Sequence, residues 1–351
     1  MRSFDYSTLK EKKWDHEIIS LIAQIHEYKG RQEVYLKQKP EELNKLVEIA
    51  KRQSTEASNA IEGIRTTNAR LKELCEEKTT PKNRDEEEIL GYRDVLNTIH
   101  ENYEYIPIKT NYILQLHRDL YKYTEKSIGG HFKISQNVIA AIDRNGKEYI
   151  LFTPLAPYET APAMDAICES YNKMIENDEL DAILLIPIFI HDFLCIHPFS
   201  DGNGRMSRLL TALLLYRSGY VVGKYISIES KIANNKDLYY KALEDCQSGW
   251  YENDEDVTPF VKYMLRIILA AYRDFEERVE LISEKLPAKE IVRRAIYSKM
   301  GKLSKSDISE LCPSIGVKSV ELALKQLVDE GVLEKKGLGR ATFYIRKDIN
   351  L

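Results

Sequence analysis

His197-Pro198-Phe199-Ser200-Asp201-Gly202-Asn203-Gly204-Arg205-Met206-Ser207-Arg208 is the stretch of this 351-residue chain from which its organisation unfolds. Upstream lies an apolar run, Ala182 to Ile196, long enough for a buried helix. It is too short for the roughly 20 residues of a membrane span and is interrupted by His191 and Asp192. Pro198 keeps that helix from continuing. Asp201-Gly202-Asn203-Gly204 then forms a tight loop whose glycines accept positive φ. A second helix starts near Asn203 and carries Leu209, Leu210, Leu213 and Leu214 on one face.

A glycine-rich loop feeding a helix N-terminus offers free N–H groups and a partial positive charge, which makes it an anion site. Arg205 and Arg208, three apart, are expected on one face and aimed at one ligand; guanidinium forks suit phosphate oxygens. Asp201 is placed to hold Mg²⁺ against those phosphates. His197, whose ordinary pKa lies near neutrality, can accept a proton from an attacking hydroxyl. These parts suffice for nucleotide transfer. There is no Walker GxxxxGK[ST] pattern, so a P-loop is excluded.

The stretch resembles the Fic signature HPFxDGNGRxxR at every specified position. The resemblance implies a compact helical domain with a β-hairpin flap that transfers AMP from ATP to a Ser, Thr or Tyr hydroxyl of a target protein. It makes His197 the base, Asp201 the Mg²⁺ ligand, and the backbone of Gly202, Asn203 and Gly204 a phosphate cradle. Arg205 would serve the β-phosphate and Arg208 the γ-phosphate. The phosphotransferring Doc relatives depart from the DGNGR core, whereas this chain keeps it.

Further upstream, Ser58-Asn59-Ala60-Ile61-Glu62-Gly63 fits the family's inhibitory pattern [S/T]xxxE[G/N]. Ser58 and Glu62 lie four apart on a helix that Gly63 ends. By resemblance Glu62 pairs with Arg208 and displaces the γ-phosphate, which marks an autoinhibited, class II enzyme. Tyr239-Tyr240-Lys241-Ala242-Leu243 resembles a segment in which a Tyr lines the adenine pocket. Gln247 stands where relatives often have Asn. Lys133, where relatives often have Arg, is a candidate for facing target or phosphate. The remaining histidines (16, 26, 100, 117, 131 and 191) lack metal-ligand spacing and are expected to be structural or at the surface.

Elsewhere the periodicity is helical: after Pro40, then near 84–101, 110–122, 160–176, 181–195, 203–217, 235–247 and 256–284. The exception is NVIAAIDRNGKEYILF, residues 137–152. Its Asn145-Gly146 between β-prone runs predicts a hairpin with a type I′ turn. By resemblance this hairpin is the flap along which a target segment pairs.

Residues 287–351 predict three helices, two strands and a Gly337-Leu338-Gly339 turn, a winged helix-turn-helix pattern. From Leu286 onward 13 Lys/Arg stand against 8 Asp/Glu, so this part is net +5 within a chain of net charge −4. DNA contact through it, a nucleotide-sensing DNA-binding regulator, a protein or homodimer contact, and removal of AMP by the same site all stay open as alternatives.

The expected divisions are an N-terminal helical region (1–109) with the inhibitory helix near 50–63, a catalytic domain (110–255), a linking helix (256–286) and the winged helix (287–351). The composition, 43% hydrophobic and 30% charged, is that of a folded protein and not of a disordered or collagenous one. Five scattered cysteines without CxxC spacing suit a reducing compartment. The N-terminus has no apolar signal core, so a cytoplasmic location without membrane contact is expected.

Overall fold

The computed structural model describes residues 2–347 except 39, 126–127, 143–147, 284–285, 298, 300 and 313. It is mainly helical and divides into two compact units. One comprises residues 1–29 and 50–271, the other residues 30–49 and 272–351.

Two long helices open the chain, α1 (His16–Gln38) and α2 (Pro40–Ile61). They are followed by α3 (Asn68–Cys75), α4 (Arg84–Asn102) and α5 (Thr110–Leu120). After the hairpin β1 (Ile139–Ile142) and β2 (Glu148–Phe152) come α6 (Pro157–Glu176), α7 (Ala182–Ile196), α8 (Asn203–Arg217), α9 (Ile228–Asn234), α10 (Lys236–Asp245) and α11 (Thr258–Ser283).

In the first unit α7 is the central element, buried on nearly every side, as its all-round apolar sequence requires. It packs on α6 and α8, and α8 in turn packs on α4. Among the described residues no helix is long and apolar enough to cross a membrane, and the cysteines are free thiols.

Asp181 caps α7 through Ile183 N–H, and the helix ends at His197, which adopts the left-handed conformation (φ 50°, ψ 61°). Such a backbone costs a non-glycine residue on the order of 1 kcal/mol. Gly202, at φ 83°, precedes the first turn of α8. A Cβ on Gly202 would lie 2.9 Å from the Tyr121 hydroxyl, so only glycine fits the loop. Gly63, at φ 82°, follows the end of α2 as the sequence predicts.

The hairpin is present: β1 pairs antiparallel with β2, Ala140 opposite Ile150, with a bulge at Ile139/Ala140. Its expected type I′ turn at Asn145-Gly146 lies outside the described residues.

In the second unit α12 (Ala288–Tyr297), α13 (Lys305–Leu311) and α14 (Val317–Asp329) enclose an apolar core that includes Val292, Ile308, Val320 and Leu327. Ser304 caps α13 in a reciprocal box with Asp307. The expected strands are β4 (Leu333–Lys336) and β5 (Phe343–Arg346), and a third, β3 (Leu303–Ser304), joins them in the order β3-β5-β4. The first unit ends at Ala271 and the second resumes at Tyr272, both within α11, and residues 30–49 belong with the second unit.

Candidate active site

The loop between α7 and α8 forms one wall of a cavity of about 560 Å³. That is ample for a nucleotide-sized ligand. The cavity takes in His197, residues 200–205, Arg208, Glu62, Tyr239 and Tyr240, with Ile139 and Leu151 of the hairpin at its border.

Asn203 builds the loop. Its side chain accepts from Phe199 N–H at 2.9 Å and donates to Phe199 O at 2.7 Å, closing residues 199–203 into a ring. Asp201 Oδ1 accepts from Gly202 N–H at 2.7 Å. Its carbonyl faces His117 Nε2 at 3.1 Å, while His117 Nδ1 accepts from Gly130 N–H at 3.0 Å. These bonds set the His117 tautomer, and its ring stacks on Phe199 at 3.7 Å. Burial pushes His117 down to about 4, so it is a neutral brace. His191 is likewise buried and neutral, pushed by burial to about 4, with Nε2 3.6 Å from Cys195 Sγ.

His197 is partly buried, and the desolvation pushes its pKa down to about 4. Nδ1 lies 3.2 Å from the Leu194 carbonyl. Because a carbonyl only accepts, Nδ1 carries the proton and Nε2 keeps its lone pair. The imidazole is therefore in the form a general base needs.

The two arginines diverge, contrary to the expectation that they aim at one point. Arg205, buried, donates from Nη2 to Glu88 Oε2 and the Tyr121 hydroxyl, each at 2.7 Å. Glu88 also receives Arg84 Nε at 2.7 Å, so one carboxylate of α4 lies between two guanidinium groups. Arg208 turns to α2: Nε donates to Ser58 Oγ at 2.8 Å, and Nη2 to Ser58 O at 2.9 Å and Glu62 Oε1 at 2.7 Å. Burial works against the Arg208 charge, but Glu62 outweighs it and holds the guanidinium above its ordinary range. Neighbouring acidic helices thus pull the two side chains apart.

Glu62 sits against the start of α8. A Cβ on Gly204 would fall 2.2 Å from Glu62 Oε1. The carboxylate therefore lies where an anion approaching this helix end would lie. Lys236 Nζ, donating to Ile61 O at 2.6 Å, secures the C-terminus of the same helix.

Tyr239 and Tyr240 differ. Tyr239 is buried, edge-on to Phe260 and tilted against Tyr263, whereas Tyr240 is 42% exposed. Gln247 Oε1 is buried on the cavity wall with no donor among the described residues. Lys133 does not face the cavity as a phosphate or target contact; it is buried, and Nζ donates to Ile196 O and Asn137 Oδ1 at 3.0 and 2.9 Å. Glu88, Tyr121, His117 and Asn137 carry no signal in the sequence that marks them as site residues. They reach the site only through folding.

The Fic/DOC family model matches residues 107–215, which hold the hairpin, α7, the loop and most of α8. That stretch is a Fic/DOC family domain. A Fido domain-containing protein of Dictyostelium discoideum is 27% identical over 148 residues, covering 42% of this chain and 96% of that protein. The protein adenylyltransferase Fic of Drosophila yakuba is 28% identical over 236 residues, covering 64% of this chain and 43% of the fly protein. This chain thus spans less than half the length of that relative. A crystal structure of a Fic family protein from Desulfovibrio desulfuricans aligns over 97% of this chain and 98% of its own, with TM-score 0.62 and 21% identity. A Fic domain-containing signalling protein from Bacteroides thetaiotaomicron aligns over 75% of this chain and 97% of its own, with TM-score 0.60 and 25% identity.

Proposed function

We propose that this chain is an autoinhibited protein adenylyltransferase, carried above all by the contact of Arg208 with Ser58 and Glu62 inside the cavity that holds His197. In the active form ATP lies with its phosphates over the start of α8, cradled by the N–H groups of residues 202–204. Arg208 takes the terminal phosphate, Arg205 lends its charge to the middle one, and the adenine stacks on Tyr240 with Gln247 Oε1 accepting from its amino group.

The target hydroxyl oxygen attacks the α-phosphorus as His197 Nε2 takes its proton. The bond from the α-phosphorus to the bridging oxygen breaks, and pyrophosphate leaves. A target segment running along β1 or β2 would find open main-chain positions next to exposed Val138, Tyr149 and Ile150.

Asp201 is 44% exposed, with one oxygen held by Gly202. Mg²⁺ is ordinarily held by one or two carboxylates together with substrate phosphates, so Asp201 suits an ion that arrives with ATP. When bound, Mg²⁺ supplies charge neutralisation between phosphates.

Glu62 holds the site closed by occupying Arg208 and the start of α8. For the C-terminal unit we favour a protein contact over DNA, because exposed Val317, Leu322 and Leu338 accompany its mixed charges. The test is intact-mass analysis after incubation with ATP and Mg²⁺: wild type stays nearly unmodified and Glu62→Gly gains AMP. Loss of AMP from a premodified target, without any gain, would instead favour the hydrolytic reading.

A further inference from the structure

His197 holds a left-handed backbone, uncommon for a non-glycine residue, and the carbonyls around it are bonded by a segment outside the signature. Lys133 Nζ donates to Ile196 O at 3.0 Å, Asn137 Nδ2 to His197 O at 3.3 Å, Lys133 N–H to Pro198 O at 2.9 Å, and Asn137 Nδ2 again to Phe199 O at 3.1 Å. Four consecutive carbonyls are thus taken up by two residues. The two are locked to each other as well, since Asn137 Oδ1 accepts from Lys133 Nζ at 2.9 Å and its amide can then point only one way. Lys133 is 2% exposed, and these partners of its ammonium are neutral oxygens. Burying a cation whose hydrogen-bond partners among the described residues are neutral oxygens is costly, and only a donor can hold these carbonyls. Two residues beyond Asn137 begins β1, whose Ile139 borders the cavity.

We propose that Lys133 and Asn137 are positioning residues for the reaction. Together they fix the left-handed turn that aims the His197 imidazole, and they set the register of the hairpin against it. An acceptor paired along the hairpin then meets the base at a defined offset. This inference rests on the transferase reading for its kinetic consequence but not for its structural one.

The test uses the full chain carrying Glu62→Gly, with Lys133→Met, Lys133→Arg, Asn137→Ala and Asn137→Asp added singly. Turnover, the Kd for ATP, and the nitrogen and proton spectra of histidine-labelled protein are measured on each. The expected result is a ten- to hundredfold fall in kcat for Lys133→Met, Asn137→Ala and Asn137→Asp, with Kd for ATP within threefold, and recovery of most of the loss by Lys133→Arg. In the same variants the His197 imidazole loses its single Nδ1–H tautomer. Turnover within threefold and an unchanged tautomer would overturn the proposal, as would a Kd that worsens in step with turnover. Should Glu62→Gly alone transfer no AMP, the transferase reading fails and the histidine spectra decide the positioning role by themselves. Should Lys133→Met not fold, the two Asn137 variants decide between these outcomes.

Discussion

Glu62→Gly removes one charge-assisted hydrogen bond from Arg208, the 2.7 Å contact to Oε1, and leaves the two contacts to Ser58 in place. The Arg208 side chain is 3% exposed and that of Glu62 33%, so the pair is screened on one side only. A bond of this kind contributes about 1.5–3 kcal/mol. An incoming phosphate must displace it to reach Arg208. With about 1.4 kcal/mol for each factor of ten, productive ATP binding is expected to improve roughly 10- to 100-fold in the variant. The carboxylate beside Gly204 is removed in the same step, which places the gain toward the upper end of that range. Glu62 follows the last residue of α2, so the helix loses little. Glu62→Gln, which keeps an acceptor but no charge, should fall between the two. The assay is time-resolved intact mass with ATP and Mg²⁺, run beside calorimetric titration of nucleotide. If Glu62→Gly binds ATP yet its modification rate stays within threefold of wild type, Arg208–Glu62 is not the lock.

Further outcomes follow from the same geometry. In the Glu62→Gly background His197→Ala should cut transfer by about 10²–10⁴-fold while ATP still binds; retained transfer would remove His197 as the base. Glu88→Ala strips the buried Arg205 of its carboxylate and should destabilise the fold by about 3 kcal/mol in urea denaturation, and a loss below about 1 kcal/mol would contradict the buried pairing. Asn203→Ala opens the ring at 199–203 and should lose about 2 kcal/mol by the same measurement, with transfer falling as well. His117, His191 and His197 are held near 4 and His100 near 3 by burial, all below the ordinary value of about 6.5. Their folded pKa values are depressed, so the unfolded chain binds more protons below that value. Stability should be flat above pH about 6.5 and fall as the pH drops toward 4, by about 1 kcal/mol per imidazole per pH unit. Denaturation midpoints unchanged between pH 7 and 5 would show that these rings are not buried neutral.

Much of the site was legible because it is built from residues close in sequence. The helix break at His197-Pro198, the loop glycines and the new helix at Asn203 each follow from a local rule. The four-residue spacing of Ser58 and Glu62 places both on the ridge that meets Arg208. What local rules could not show was where the arginines would point. Arg205 and Arg208 share a helix face, but Glu88 and Tyr121 take the first and Ser58 and Glu62 the second, from helices more than 80 residues upstream. Lys133 reads as an exposed cation by type and is buried through three bonds. The unit boundary at Ala271 leaves no mark in the sequence because no proline or glycine stands near it in α11. Short helices such as α3 and α9 have too few turns to show a clear period.

The most direct measurement of the central claim is a crystal structure of the Glu62→Gly chain with ATP and Mg²⁺. The account predicts a triphosphate over residues 202–204 with its end on Arg208, and the α-phosphorus facing the open side of His197 Nε2. A triphosphate bound away from α8, or an imidazole turned from the α-phosphorus, would contradict it.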